Sequence, residues 1–410
     1  MPLNWGFSIL KTGKLTKQLR DTGLINNKLN LPIIYLPGIL GSQLYDRHTK
    51  TLIWGDYKSL IRKHDYEYSH ENTSIGATQL HYFTVVPKLF DNLITAPLKL
   101  VLEKSLGYRE GIDLFFLAHD WRADHRQLSA QLDAEIQRVK CLYGEQQKFL
   151  LIAHSASNCA IRYYLQSASS EIRESIAKWY AFGPPWMGTF QALALMESGY
   201  YAGGSLFHGF TANEIASCPS AYQLLPCSPQ LIDKQGNQIT DFDIYDEDCW
   251  KAFHLGPYRA EIKELSDQLQ RIREQLASHL HSAKTFAERV SMRTQAEQSV
   301  PQTWFLSDNH LTVKRAVYDQ GRLHLTANTI ERNYPHLTEI ALTKGDGHLP
   351  IDGLLEGWKS AIVRGSQPHP FGEEYVFINQ ARTHRALVSH MPNLYSLAFD
   401  IATLRQRYSE

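Results

Sequence analysis

The residues with the clearest chemical potential lie between Lys148 and Ala160, which read KFLLIAHSASNCA. A run of apolar residues ends at Ala153-His154-Ser155-Ala156-Ser157, and a helical pattern follows. A serine placed between a buried strand and a helix, with small residues two positions away on either side, has the layout of a nucleophile elbow. The reason is steric: the turn is tight, and strand and helix approach closely only if Ala153 and Ser157 are small. Glycine is the usual occupant at both flanks, so Ser157 is a departure. Such a turn aims the N–H of Ala156 at a substrate oxyanion, and the helix N-terminus adds a favourable partial charge there. The chemistry implied is nucleophilic attack by Ser155 on an ester carbonyl, with an acyl-enzyme intermediate.

A serine of this kind needs an imidazole base and a carboxylate that orients it, in the chain order serine, acid, histidine. The acid should follow a late strand. Ile340 to Thr343 is strand-like and runs into Lys344-Gly345-Asp346-Gly347-His348-Leu349-Pro350, where flanking glycines let Asp346 turn inward. Asp352 is the fallback. The histidine should follow the last strand. His384 stands closest to the end of Tyr375 to Asn379, and His390, six residues on, competes with it. Any given one of the 18 histidines is usually structural, and His154 beside the serine is not the expected base.

Near the N-terminus, Leu36-Pro37-Gly38-Ile39-Leu40-Gly41-Ser42-Gln43-Leu44 is a strand entering a Pro-Gly turn. This LPGILGSQL segment, Trp54 in LIWGD, the HDWR segment with Asp120, Trp121 and Arg122, the serine elbow and the later GDGHLP together resemble the lecithin:cholesterol acyltransferase-like family. That family includes lysosomal-type phospholipases and phospholipid:diacylglycerol acyltransferases. The resemblance covers about Leu31 to Gly188 and resumes from about Gln302, leaving the middle unmatched. It implies an α/β-hydrolase fold and lipid-ester substrates. It implies Asp346 as triad acid, although the family pattern GDGTVP is altered at His348 and Leu349. It supports His384 as base and assigns the second oxyanion N–H to Ile39. Asp120 and Arg122 are expected to form a structural ion pair. Trp54 either lines the acyl pocket or fills the core.

The elements that must position these groups are short apolar runs alternating with helical patterns: Leu31–Leu36, Asp113–Ala118, Lys148–Ala153, Ile176–Phe182, Thr303–Leu306 and Glu374–Ile378. They predict a mostly parallel sheet covered by helices on both faces. The rhythm breaks from about Phe190 to Val300. The expected division is therefore a core at 1–189, an inserted, largely helical cap at 190–300, and a second core segment at 301–410. Within the cap, Gly199 to Phe207 (GYYAGGSLF) reads as an acyl pocket or lid. A long charged helix is expected from Tyr258 to Glu297. Its seam of Ile262, Leu265, Leu269, Ile272, Leu276 and Leu280 is suited to packing within its own domain, or to dimerisation.

With 42 basic and 42 acidic residues the chain is neutral, so no overall field favours nucleic acid. No nucleotide signature, metal-spaced cluster or cofactor motif is present; Asp346, His348 and Asp352 alone do not make a metal site. The five cysteines show no CxxC spacing, and a Cys218–Cys227 bridge is expected only in an oxidising compartment. Without a secretory leader or a membrane-length apolar segment the default location is cytoplasmic, and signal-independent secretion would look the same. Peripheral contact with a lipid surface is compatible with these features; the oligomeric state is open.

The expected activity is a serine-dependent lipid-ester hydrolase or O-acyltransferase. Two alternatives remain at this level: a carboxylesterase of small non-lipid esters, and a non-enzymatic scaffold using the seam helix for partners.

Overall fold

The computed structural model describes residues 3–24, 31–56, 59, 66–69, 75–86, 90–200, 209–228, 230–355, 358, 360–364 and 373–409. Seven parallel strands form the centre: β1 (Ile33–Leu36), β2 (Leu114–Phe116), β3 (Phe149–His154), β4 (Ile176–Phe182), β5 (Gln302–Ser307), β6 (Ala361–Arg364) and β7 (Tyr375–Asn379). Their order across the sheet is β6-β7-β5-β4-β3-β1-β2. Successive side chains of a strand point to opposite faces, and both faces are filled. Ile34, Leu36, Leu151 and Ala153 join one apolar cluster, while Ile33, Tyr35, Leu150 and Ile152 join another. This is why the central strands read as mainly apolar runs.

The helices covering the sheet include α1 (Leu3–Asp21), α2 (Ala96–Leu106), α3 (His125–Tyr143), α4 (Ser157–Leu165), α5 (Asp267–Val290) and α6 (Met391–Arg407). One face receives α1, α2 and α6 through Leu15, Leu19, Leu98, Val101 and Leu397. The other receives α3 and α4 through Leu128, Leu132, Ile136 and Ile161. Asp124 caps α3 by accepting from the Arg126 N–H at 2.8 Å, which satisfies one of the orphan donors of the first turn.

The insertion departs from expectation in three ways. The long helix α5 begins at Asp267, capped by Ser266, and not at Tyr258; Gly256–Tyr258 is a 3-10 turn. Leu265 lies outside the helix and is 55% exposed, so the seam effectively starts at Leu269. From there Leu269, Ile272, Leu276, Leu280, Ala283, Phe286 and Val290 are buried in their own chain, which leaves no free apolar stripe for dimerisation. Second, the largely helical insertion also carries a small sheet: Leu231–Asp233 pairs antiparallel with Gln238–Ile239 and parallel with Ala316–Asp319, which pairs with Arg322–His324. Third, that sheet draws strands from both sides of Val300, so the expected boundary there does not match the packing. Val313, Ala316, Leu325 and Ile330 share a core with Phe190, Leu193 and Trp250. Most of the GYYAGGSLF segment, residues 201–207, lies outside the described residues.

A buried ion pair ties the insertion to α4. Arg162 donates to Glu297 at 2.8 Å and to the Val290 carbonyl at 2.9 Å, and its guanidinium lies 3.5 Å from the centre of the Trp186 ring. Both side chains are at most 3% exposed. Glu297→Ala would strand the arginine in a dry site, and thermal or urea unfolding should show a loss of about 3–5 kcal/mol.

Candidate active site

The candidate residues gather at the carboxyl ends of the strands, where β1 and β3 lie side by side. The chain runs from β1 to β2 on one side and then crosses to β3 on the other, so this is a topological switch point. Open parallel sheets bind ligands in the crevice such a switch creates.

Ser155 directly follows β3 with a positive φ of 55°, a conformation that is costly for a residue with a side chain and is concentrated at functional sites. The turn is held on several sides. The Ser155 N–H donates to the Phe182 carbonyl at 2.8 Å. The Asn158 amide donates to the Ser155 carbonyl at 2.9 Å, and Asn158 Oδ1 accepts from Trp179 Nε1 at 3.1 Å. Ser157, the departure from the glycine pattern, is buried and its hydroxyl donates to the Pro37 carbonyl. That bond links the serine turn to the turn after β1, which a glycine could not do.

His384 lies at the start of a 3-10 turn after β7. Its Nε2 is 2.8 Å from Ser155 Oγ, and its Nδ1 is 2.6 Å from Asp346 Oδ2. A carboxylate can only accept, so Nδ1 carries the proton and Nε2 is free to accept the serine hydroxyl. The other carboxylate oxygen of Asp346 accepts the N–H groups of His348 at 2.9 Å and Leu349 at 2.8 Å. Burial opposes the Asp346 charge, but His384 and the loop amides outweigh it and hold the carboxyl below its ordinary range. Asp346 follows the strand Leu342–Gly345, which pairs antiparallel with His310–Val313 outside the central sheet. The expected strand at Ile340 starts two residues late, because Thr338–Ala341 is helical.

The faces of the His384 ring are covered by other imidazoles. His154 stacks at 5.2 Å between ring centres and His348 at 5.1 Å. His154 Nε2 donates to the His384 carbonyl at 3.2 Å. Burial and the neighbouring His384 push His154 down to about 3, so it stays neutral. Gly183, just after β4, has φ of 54°, and a Cβ there would lie 2.7 Å from His384 Cε1. Only glycine lets the imidazole sit where it does.

The backbone N–H groups of Ile39 and Ala156 have no hydrogen-bond partner among the described residues, and both residues border the cavity or its serine turn. Unspent donors beside a nucleophile are what an oxyanion site requires. Gly38 allows their approach: a Cβ there would meet Ser155 Cβ at 2.8 Å. Gly38→Ala should therefore push the two turns apart and lower kcat by about 10²–10³, comparable to removing one oxyanion donor. Steady-state kinetics alongside a melting curve would separate this from unfolding.

Ser155 and His384 open into a cavity of about 630 Å³. Trp54, Ile94, Trp121, Phe210, Ile215 and Leu224 make much of its wall. Trp54 is both wall and packing: it lies 5.0 Å from the Phe210 ring centre, and its indole N–H donates to the Leu40 carbonyl at 3.2 Å. The acid at this wall, Glu214, is spent on the Tyr66 N–H and on Thr211. Asp120 and Arg122 form a bidentate pair at 2.7 and 3.0 Å, with Arg122 also donating to the Tyr66 carbonyl.

The fallback residues are placed elsewhere. Asp352 is exposed and lies 3.9 Å from Lys314, and His390 stands at the N-cap position of α6 without a side-chain cap bond. Cys218 and Cys227 are free thiols, one donating to the Glu214 carbonyl and the other to that of Trp186. Asp346 is committed to His384 and the loop, which leaves it no role as a metal ligand; among the described residues no cluster suited to a metal occurs. Asn158, Gly183 and His348 are the site-shaping residues that sequence reasoning gave no role. Asn158 could have been found from its position in the first turn after the serine.

The family model described as Lecithin:cholesterol acyltransferase matches residues 98–320, more than half of the chain. The chain belongs to the lecithin:cholesterol acyltransferase family. The match runs through the insertion, which the motif resemblance had left out, and contains Ser155. A lysosomal phospholipase A and acyltransferase of Bos taurus is 31% identical over 99 residues, 23% of this chain and 24% of that protein. The alignment thus spans about a quarter of that relative's length. Among solved structures, a chain in the Tle4–Tli4 complex is similar with a TM-score of 0.51 and 13% identity, covering 92% of this chain and 98% of that one. At that identity the likeness concerns the fold, which is that of an α/β-hydrolase. The mature lipase BlEst2 of Bacillus licheniformis is more distant, with a TM-score of 0.36, 11% identity and 88% of each chain covered.

Proposed function

We propose that this chain is a serine-dependent lipid-ester hydrolase or O-acyltransferase acting on phospholipid or acylglycerol through an acyl-enzyme. The observation that carries this reading is the Ser155–His384–Asp346 relay, with bonds of 2.8 and 2.6 Å, opening into an apolar cavity. His384 Nε2 takes the Ser155 proton as Oγ attacks the ester carbonyl. The N–H groups of Ile39 and Ala156 hold the oxyanion, and Asp346 stabilises the imidazolium. The proton then passes to the leaving alcohol, and water or another alcohol reverses the steps to release the acyl group. The family membership and the name of the bovine relative, a phospholipase A and acyltransferase, support lipid esters as the substrate class. The same chemistry at a lipid surface would bring the chain into peripheral contact with it.

The cavity favours this over a small-ester carboxylesterase. Each methylene removed from water contributes about 0.8 kcal/mol. Across a p-nitrophenyl ester series, kcat/KM should climb by up to about fourfold per added methylene until the cavity is filled. Trp54→Ala should flatten the climb by opening the wall. A steep preference for acetate or butyrate would instead support the small-ester reading. The scaffold reading loses its surface, since the α5 seam is buried within the chain.

A further inference from the structure

Beside the catalytic cavity lies a second hollow of about 220 Å³. Its wall is built from the start of the helix Phe190–Ser198, the strand His310–Val313, residues 325–328 and the acid loop at Gly347-His348. Gln191 and His348 line both spaces, so the hollow borders the cavity that holds Ser155 and His384, and His348 is itself stacked on His384.

The two spaces differ in chemistry. The larger one is walled mainly by aromatic and aliphatic side chains. The smaller one is mixed: Gln191, His310, Thr312, Thr326 and Asn328 are on its wall, and none of its described lining residues is Asp, Glu, Lys or Arg. The Gln191 backbone N–H is spent on Thr189. Its side-chain amide, like that of Asn328, makes no hydrogen bond to another described residue. A carboxamide both donates and accepts, which matches a hydroxyl. A phosphate would call for arginine or lysine, and an ammonium for a carboxylate.

We propose that this hollow seats an uncharged polyhydroxylated alcohol, the glycerol-like portion of the ester and of the acyl acceptor, while the acyl chain occupies the larger cavity. The inference rests on the acyl-enzyme reading above. In the transfer step His384 Nε2 takes the alcohol proton as its oxygen bonds to the acyl carbon. The bond from that carbon to Ser155 Oγ then breaks, and the proton returns to Oγ. The leaving alcohol of the first half-reaction and the acceptor of the second use the same seat, because each half is the reverse of the other in mechanism.

The test is a partition measurement. The full chain consumes p-nitrophenyl decanoate with glycerol or 1-propanol at equal concentration, and the ratio of new ester to free decanoate is read. Wild type should favour glycerol over 1-propanol by about tenfold, the scale of discrimination a polar site gives through one or two hydrogen bonds. Gln191→Leu and Asn328→Leu should each bring the two alcohols close to parity. Because both products come from one acyl-enzyme, the ratio does not depend on how much protein is folded. A second arm compares hydrolysis of 1-monodecanoylglycerol with propyl decanoate. Because one seat serves both alcohols, the two preferences should fall together in the variants, and loss of the hydrolysis preference alone contradicts the shared seat. Equal partition by wild type, or an unchanged glycerol preference in both variants, overturns the inference alone. Wild type that forms no acyl-enzyme at all overturns the reading beneath it and this inference together.

Discussion

Ser155→Ala is expected to lower ester turnover by at least about 10⁴, leaving only the rate that oxyanion donors and binding give to water. The substitution removes Oγ and its 2.8 Å bond to His384 and touches little else. The turn is held by backbone and by Asn158, and alanine tolerates the positive φ of 55° about as poorly as serine does. Melting temperature should therefore change little. A small drop in activity with an unchanged substrate profile would mean that another group forms the covalent bond.

Asp346→Asn should cost nearly as much, about 10⁴ in kcat, by a different route. Asparagine keeps the shape but offers either an amide N–H or a neutral carbonyl to His384. If it presents the N–H, Nδ1 must accept and the proton moves to Nε2, where it faces Ser155 and blocks proton removal. In wild type the carboxyl is held charged below its usual range by His384 and two loop amides, so the penalty should persist at neutral pH. Restoration of activity at alkaline pH, where hydroxide can remove the proton, would support the tautomer explanation. Activity within tenfold of wild type would contradict it, because a surface Asp-Gly turn would have no such effect.

What the sequence made legible follows from how strongly burial constrains it. Strands β1, β3 and β4 are covered on both faces, so they are mainly apolar, the buried Lys178 of β4 being paired with Asp400 at 2.7 Å, and the serine turn after β3 stands out at the end of such a run. Strand β6 could not: it is the sheet edge, with Ala361 and Ile362 exposed, and nothing forces a buried pattern there. The insertion's sheet was hidden for a related reason. Its strands are two to four residues long and include polar stretches such as Gln238–Ile239 and Arg322–His324, too short for a periodic signal. The seam of α5 carried the right spacing from Leu269 on, but spacing alone does not say whether the partner is the same chain.

Within the site, Ser157 departs from the glycine usual in the elbow, and its hydroxyl bonds the Pro37 carbonyl across a sequence separation no local pattern reveals. His348 was read as a departure from GDGTVP; its ring covers one face of His384, a contact that depends on the hairpin carrying the acid loop outside the main sheet. Gly38 and Gly183 show the opposite case, where a glycine's purpose becomes clear only when the atoms a Cβ would strike are known.

The most direct test of the central claim is reaction of the folded chain with a fluorophosphonate, followed by peptide mass spectrometry. One adduct per chain is expected, on Ser155, formed slowly or not at all when His384 is replaced. An adduct on a different serine, or none on folded protein under conditions where the probe enters the cavity, would contradict it.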